Sequence, residues 1–206
     1  MKIGLFFGSF NPIHVGHLII ANFMATQTDL DQVWLVVSPH NPLKPKKTLA
    51  RDRDRLNMVQ NAVENNTRLK VTDIEFKMPQ PSYTINTLSV LSDKFPQHSF
   101  TLIMGGDNLA GLHKWKNFEI ILAQYRIYVY ARMSDVECRT SKESPTSDIR
   151  QSTSDIQNHP NVKVFNAPLM DISATYIRNC VQKNVSIEYL VPETVLKYIE
   201  EAGLYK

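Results

Sequence analysis

The sequence predicts an α/β fold: a doubly wound parallel sheet with helices on both faces and a small helical part at the C-terminus. Short apolar runs alternate along the chain with longer segments whose apolar residues recur at helical spacing. The runs are apolar throughout, which is typical of strands buried on both faces of a sheet. Ligands of such sheets bind at the carboxyl ends of the strands, so the residues that follow each run are the candidates for a site.

Six strands are predicted. The first covers residues 2–8, KIGLFFG, and ends at a glycine. The other five lie at residues 32–38, 69–74, 99–105, 125–131 and 162–168. Each is a short apolar run, and helix-like segments separate most of them, which favours parallel pairing of the strands.

The main helices are predicted at residues 16–27, 51–64, 84–95, 173–183 and 192–202. The second of these carries its charges on the face opposite its apolar residues. Thr84 is the expected N-cap of the third, because its hydroxyl can accept a hydrogen bond from a first-turn amide. Pro192 is expected near the first turn of the last helix.

The chain is expected to form a single domain over residues 1–206. Residues 132–160 are polar and rich in Ser and Thr, and we interpret them as a surface excursion with one short helix near residues 147–157. This segment is expected to be a spacer without chemistry. The helical part, residues 173–206, is expected either to cover the sheet or to form a homodimer contact, and both alternatives stay open.

Composition excludes several classes of protein. Hydrophobic residues make up 43% and charged residues 21% of the 206 positions, so a normal buried core is expected. The net charge of +3 is too weak to indicate a nucleic-acid partner. No apolar stretch approaches about 18 residues, so no membrane span is expected. The two cysteines lie far apart, and the N-terminus lacks the features of a signal peptide, which favours the cytoplasm.

The motif GSFNPIHVGH, residues 8–17, follows the first predicted strand. Gly8 allows a sharp turn, and the helix that begins near Gly16 presents amides and a positive dipole end to an anion. His14 and His17 can both turn toward one pocket and donate hydrogen bonds to a phosphate. A zinc site is the chemical alternative, but two histidines without a third ligand are a poor zinc set. Capping histidines on a loop are the structural alternative.

A second motif, DISATYIR, covers residues 171–178. Ser173 and Thr175 can cap a helix start while their hydroxyls and the free amides face phosphates. Arg178, one turn later, adds a cation whose fork geometry matches phosphate oxygens. An ordinary N-cap followed by a surface arginine is the alternative for this stretch taken alone.

Two further stretches carry candidate binding residues. In MGGDNLAGLHKW, residues 104–115, Gly105 allows close backbone approach, and Asp107 can accept from ribose hydroxyls or help to organise a metal. Trp115 can stack on a flat ring, with packing in the core as the alternative. The segment PSYTINTL, residues 81–88, places Thr84 where it either caps its helix, binds a ligand or does both.

Residues 44–55 hold six basic side chains against two acidic ones, a local excess of four positive charges. The basic residues are Lys44, Lys46, Lys47, Arg51, Arg53 and Arg55. This balance suits the phosphates of a nucleotide, with a solvated surface loop as the alternative.

These motifs resemble a known family. GSFNPIHVGH is similar to the (H/T)xGH signature of the nucleotidyltransferase superfamily, and most similar to the form found in bacterial nicotinate-nucleotide adenylyltransferases. ISATYIR resembles that family's ISxTxIR signature, and GGDNLAGLHKW its GxDxLxxLxxW element. The resemblance implies a Rossmann-like fold and a reaction of ATP with nicotinate mononucleotide that gives nicotinate adenine dinucleotide and pyrophosphate in NAD biosynthesis. It also implies Mg²⁺ bound mainly through the ATP phosphates.

The resemblance assigns expected roles to individual residues. Catalytic roles fall to His14, His17, Lys44 and Arg178, with Lys47 as the runner-up to Lys44. Contacts with ATP or its phosphates fall to Gly8, Ser9, Phe10, Gly16, Ile172, Ser173, Thr175 and Arg178. Contacts with nicotinate mononucleotide fall to Asn11, Thr84, Gly105, Asp107 and Trp115. Thr84 and nearby amides would meet the pyridine carboxylate, and Trp115 would stack on the ring, which favours the acid over the amide substrate.

Other functions fit the sequence less well. A pantetheine-phosphate adenylyltransferase shares the first motif but is typically shorter and lacks the other two in this form. A class I aminoacyl-tRNA synthetase needs a KMSKS-like loop and an anticodon domain, and neither fits here. A nucleotide-binding regulator without turnover would not need the intact histidine pair and Arg178. A nucleic-acid-binding module is supported only by the local charge at residues 44–55.

Overall fold

The computed structural model describes residues 1–39, 49–131, 156–168 and 170–206. Within them, six parallel strands form one sheet in the order β3-β2-β1-β4-β5-β6. The strands are β1 (Lys2–Gly8), β2 (Gln32–Val37), β3 (Leu69–Thr72), β4 (Ser99–Gly105), β5 (Arg126–Ala131) and β6 (Val162–Asn166). The predicted doubly wound parallel sheet is confirmed, and its order reverses between β1 and β4.

The helices are α1 (Val15–Gln27), α2 (Asp52–Val63), α3 (Thr84–Lys94), α4 (Gly106–Ala110), α5 (Phe118–Gln124), α6 (Ala174–Gln182) and α7 (Glu193–Glu201). Two short 3₁₀ helices, Ile74–Lys77 and Leu112–Lys114, complete the described elements. All five predicted helices that lie in described residues are present. The predicted helix near residues 147–157, except for its last two positions, and the polar excursion up to residue 155 lie outside the described residues.

The sheet is buried on both faces, which explains why its strands are apolar throughout. Along β1, Ile3 and Leu5 enter the core on one face, and Phe6 enters the core on the other. Helices α1, α2, α6 and α7 cover the face on which Phe6 lies, and α3 and α5 cover the opposite face. Successive residues of a strand point to opposite faces of the sheet. Because helices cover both faces, the side chains on both faces are apolar.

The C-terminal helices cover the sheet. Ile177 and Cys180 of α6 and Val195 and Ile199 of α7 are buried in the core on the α1 side. This confirms the first of the two expected roles for residues 173–206, while a homodimer contact stays a prediction. Among the described residues, no helix is both long and apolar enough to cross a membrane.

Two local expectations were wrong. Thr84 is the first residue of α3 rather than its N-cap: Tyr83 holds the N-cap position, and its carbonyl accepts from the amides of Asn86 and Thr87. The predicted third strand also extends too far, because the chain leaves the sheet after Thr72 and forms the first 3₁₀ helix.

The carboxyl ends of β1 and β2 are joined to α2 by one buried arginine. Arg55 is completely buried, and each of its five N–H donors has an acceptor. Nε donates to the Ala50 carbonyl at 3.1 Å; Nη1 and Nη2 together donate to Ser9 O, Ser38 O, Pro39 O and Asp52 Oδ1 at 2.5–2.8 Å. Arg55 is therefore structural, and counting it among the cations available to phosphates was wrong.

Replacing Arg55 tests this role. We expect Arg55→Met to lower the free energy of unfolding by about 3 kcal/mol, because several buried carbonyls lose their donors. The urea midpoint of the purified variant measures the loss. Arg53→Met, an exposed position on the same helix, is the matched control and should change stability by less than about 0.5 kcal/mol. Equal midpoints for the two variants would contradict the structural role.

Candidate active site

The loop between β1 and α1 is folded around the ring of Phe10. Phe10 has φ 44° and is buried, and its ring packs edge-on against Phe6 and His17 at centroid distances of 5.9 and 5.1 Å. A Cβ at residue 8 would lie 2.8 Å from Cζ of this ring. Gly8 is thus required by packing within the loop, a reason that adds to the expected close approach of a ligand.

His14 occupies the N-cap position of α1 in an extended conformation. Its ring lies against Gly16, where a Cβ would come within 3.1 Å of His14 Nδ1. Burial lowers the pKa of His14 to about 4, so the imidazole is neutral near pH 7. Nδ1 is buried and has no hydrogen-bond partner among the described residues. A buried ring nitrogen without a protein partner is a candidate for contact with a ligand.

His17 lies next to His14, with the two rings stacked at 3.7 Å and an interplanar angle of 30°. Nδ1 of His17 accepts the backbone N–H of His14 at 3.3 Å. Because this nitrogen is an acceptor, the proton of the neutral ring is on Nε2, which makes Nε2 a donor. The two histidines converge at the helix start as expected, and they form a capping box there.

The C-terminal motif lies beside this loop. Arg178 Nη1 donates to the Asn11 carbonyl at 2.8 Å, and Nη2 donates to Thr175 Oγ1 at 3.1 Å. Ser173 caps α6 as predicted, since Oγ accepts the N–H of Tyr176 at 3.1 Å. Thr175 does not cap the helix, because its hydroxyl oxygen accepts from Arg178 instead. The first and last motifs of the chain therefore form one surface.

Arg178 and Arg55 differ in how much of each guanidinium the protein uses. Two of the five donors of Arg178 have acceptors among the described residues, whereas all five donors of Arg55 do. Arg178 is also only partly buried. Its position is fixed by two hydrogen bonds, and three donors are left for a ligand.

The carboxyl end of β4 lies next to that of β1, across the point where the strand order reverses. Gly105 lies under the ring of Tyr130, where a Cβ would come within 3.2 Å of the ring atoms. Burial, and to a lesser extent the negative charge of Asp107, raises the pKa of Tyr130. Asp107 is therefore near Tyr130, and it is exposed in the first turn of α4. A carboxylate is available here at the edge of the sheet that also holds the histidines.

Other predicted site residues are in mixed environments. Trp115 is partly buried against the core on the α3 side, and Thr84 is partly buried at the start of α3. Ile172 packs on the core of the opposite face. Asn11 is 4% exposed, and its Oδ1 accepts from the amide of Ala50 at 3.0 Å. Lys44, together with the other lysines of its stretch, lies outside the described residues.

Sequence reasoning missed three contacts that shape the site. Arg55 lies on the same buried stripe of α2 as Met58 and Val59, a spacing that could have marked it as buried. Leu190 accepts the N–H of Val15 at 3.0 Å, and Tyr205 donates to Asn11 Oδ1 at 2.8 Å. The last two have no local signal, because they are backbone or distant side-chain contacts.

The donors around the loop suit phosphate oxygens better than a protein-bound metal. They are a neutral histidine pair, a partly buried arginine and helix-start amides. In the part of the chain that the structure describes, no three His, Cys, Asp or Glu side chains are grouped as metal ligands.

Comparison with known proteins gives consistent matches. Residues 5–180 match the family model described as cytidylyltransferase-like. A protein of Flavobacterium johnsoniae and one of Cytophaga hutchinsonii, each named probable nicotinate-nucleotide adenylyltransferase, are 51% and 53% identical to all of this chain, over 100% and 98% of their own length. A solved Plasmodium falciparum nicotinic acid mononucleotide adenylyltransferase complexed with NaAD is similar at TM-score 0.74 and 17% identity, over 99% of this chain and 97% of that one. The structural likeness supports the fold.

The buried, neutral state of His14 predicts how stability depends on pH. At pH 7 the ring is neutral in both the folded and the unfolded chain. Between pH 6.5 and about 4 the unfolded chain binds a proton that the folded chain excludes, so the free energy of unfolding falls as the pH falls. From pH 7 to 4.5 this term amounts to about 2 kcal/mol. Urea titrations at the two pH values should show a smaller loss for His14→Asn than for the native chain, and equal losses would contradict the assigned state.

Proposed function

We infer that this chain, which belongs to the cytidylyltransferase-like family, is a nicotinate-nucleotide adenylyltransferase. It joins ATP and nicotinate mononucleotide to give nicotinate adenine dinucleotide and pyrophosphate, a step of NAD biosynthesis. The observation that carries the assignment is identity above 50% over the whole chain to relatives of that name. The histidine pair beside Arg178 supports it independently, because this donor set suits phosphate chemistry.

The reaction needs no nucleophile from the protein. A phosphate oxygen of nicotinate mononucleotide attacks the α-phosphorus of ATP, a new P–O bond forms, and the bond to the bridging oxygen of the β-phosphate breaks. Pyrophosphate leaves with the electron pair. Since both reactants are anions, the enzyme must align them and stabilise the charge that develops on the α-phosphate and the leaving group.

We propose that three side chains do this work at the loop between β1 and α1. His17 presents Nε2–H, a donor fixed in its tautomer by the backbone of His14. His14 adds a neutral ring whose Nδ1 has no protein partner among the described residues. Arg178 contributes a full positive charge and three remaining donors, which suits the bidentate binding of phosphate oxygens. Lys44 is proposed as a further phosphate contact.

Mg²⁺ is proposed as a companion of ATP, held mainly by the phosphates. The histidine and arginine donors beside the loop fit phosphates that carry their own cation, and Asp107 is an exposed carboxylate at the carboxyl end of β4. When bound, Mg²⁺ would neutralise phosphate charge.

The pyridine ring is proposed to lie between α3 and the loop that holds Trp115, with Thr84 and adjacent amides facing its carboxylate.

The proposed location of the enzyme is the cytoplasm, which the free, buried thiol of Cys180 supports.

Turnover of His17→Ala tests the role of the histidine. We expect pyrophosphate release from ATP and nicotinate mononucleotide to fall on the order of 10²–10³-fold, because one donor to the developing charge is lost. The control is His98→Ala, since His98 lies beside the amino end of β4, at the opposite edge of the sheet. Near-normal turnover of His17→Ala, with an intact fold by circular dichroism, would remove His17 from the mechanism.

Substrate choice tests the subfamily. The native enzyme is given ATP with nicotinate mononucleotide, nicotinamide mononucleotide or phosphopantetheine, and pyrophosphate is measured. We expect the nicotinate form to be preferred over the nicotinamide form by roughly tenfold or more, because a carboxylate-reading site leaves polar groups unpaired with the amide. Equal use of both would contradict a carboxylate-reading site near Thr84. Release with none of the three would contradict the assignment itself.

A further inference from the structure

The chain's last residues reach back to the loop between β1 and α1. Helix α7 is terminated by Gly203, which has φ 60°. The amide of Gly203 bonds to the Glu200 carbonyl, and the amide of Leu204 bonds to the Ile199 carbonyl, the pattern of a Schellman motif. This turn directs the next residue, Tyr205, toward the carboxyl edge of the sheet.

Tyr205 ends in a specific hydrogen bond. Its hydroxyl donates to Asn11 Oδ1 at 2.8 Å, and the same oxygen accepts the N–H of Ala50 at 3.0 Å. Two donors converging on one side-chain atom identify that atom as the amide oxygen. Burial raises the pKa of the Tyr205 hydroxyl, against the smaller opposing effects of Arg178 and Arg55, so it stays protonated and able to donate at all working pH values.

Asn11 also binds Arg178, the arginine that has donors left for a ligand. Its carbonyl accepts from Arg178 Nη1 at 2.8 Å, so only one residue separates the hydroxyl of Tyr205 from the guanidinium of Arg178. The same loop is held at its other end by the C-terminal part, where the Leu190 carbonyl accepts the N–H of Val15. The C-terminal part therefore holds the loop at its middle, Asn11, and where it enters α1, at Val15.

We propose that Tyr205 is a positioning residue of the candidate active site, which fixes Arg178 through Asn11. The proposal rests on the function inferred above. Without the hydroxyl, Asn11 Oδ1 keeps the amide of Ala50 but loses its second donor, and the carbonyl that orients Arg178 is less well fixed. Because charge stabilisation depends on where the donors lie, a small displacement of Arg178 lowers the rate of adenylyl transfer.

The test is a double-mutant cycle of Tyr205→Phe and Arg178→Ala. In the native background, Tyr205→Phe should lower both kcat and ATP affinity, and their product should fall about tenfold. The KM for nicotinate mononucleotide should be nearly unchanged. In the Arg178→Ala background the same change should have little further effect, because the residue through which it acts is gone. Affinity is measured calorimetrically with ATP alone, and kcat from pyrophosphate release.

Tyr198→Phe is the matched control. Tyr198 is also partly buried in the C-terminal part, and its hydroxyl donates to Asp54 Oδ1 at 3.0 Å, yet it makes no hydrogen bond with Asn11 or Arg178 among the described residues. Both tyrosine variants should lower Tm by a few degrees. Only Tyr205→Phe should lower kcat and ATP affinity.

Equal effects of the two tyrosine variants, or an effect of Tyr205→Phe that persists in the Arg178→Ala background, would overturn the proposal. Because ATP binding is measured without the second substrate, the role of Tyr205 is tested separately from the proposed function. If the native enzyme binds ATP but releases no pyrophosphate with nicotinate mononucleotide, the function fails, and the ATP-affinity cycle alone still decides on Tyr205.

Discussion

Four backbone carbonyls and one carboxylate converge on the guanidinium of Arg55 where the loops after β1 and β2 meet the start of α2. Carbonyls at the ends of parallel strands have no ladder partner, and burying them without donors is costly. A guanidinium is the side chain that can serve five acceptors at once. Arg55 thus allows the β1–α1 loop to be irregular and buried, and this loop leads directly to His14 and His17 at the start of α1.

The two histidines of the candidate site bring polar groups rather than fixed charge to it. His14 is kept neutral by burial, and His17 is held as an Nε2 donor by a backbone amide, so both rings offer dipoles rather than charges. Arg178 adds a full positive charge on the same loop, at Asn11. An ordered set of donors costs little reorganisation when charge develops on a phosphate, which is the main source of rate enhancement in such sites. The packing of Phe10 on Gly8 and of His14 on Gly16 maintains this order.

Much of this arrangement could be predicted from the sequence. The strands and longer helices follow from apolar periodicity, and the histidine pair and Arg178 follow from motifs at strand ends and helix starts. Helices α4 and α5 were not predicted, because five and seven residues carry too little periodicity. A count of charges at residues 44–55 misjudged Arg55, since the count does not tell which way a side chain points. The prediction that Thr84 caps α3 was wrong because the Tyr83 carbonyl accepts the first hydrogen bonds of the helix.

What the sequence could not show is how distant parts of the chain complete the site. Arg178 reaches Asn11 across 167 positions, and Tyr205 reaches it across 194. Contacts of such separation leave no periodic or local signal in the sequence. The β1–α1 loop carries the motif residues, but its carbonyls, amides and side chains are satisfied by α2 and by the C-terminal part. A chain that keeps GSFNPIHVGH but loses its last turn would keep the histidines and both hydrogen bonds of Arg178, and would lose the hydroxyl that holds the side chain of Asn11.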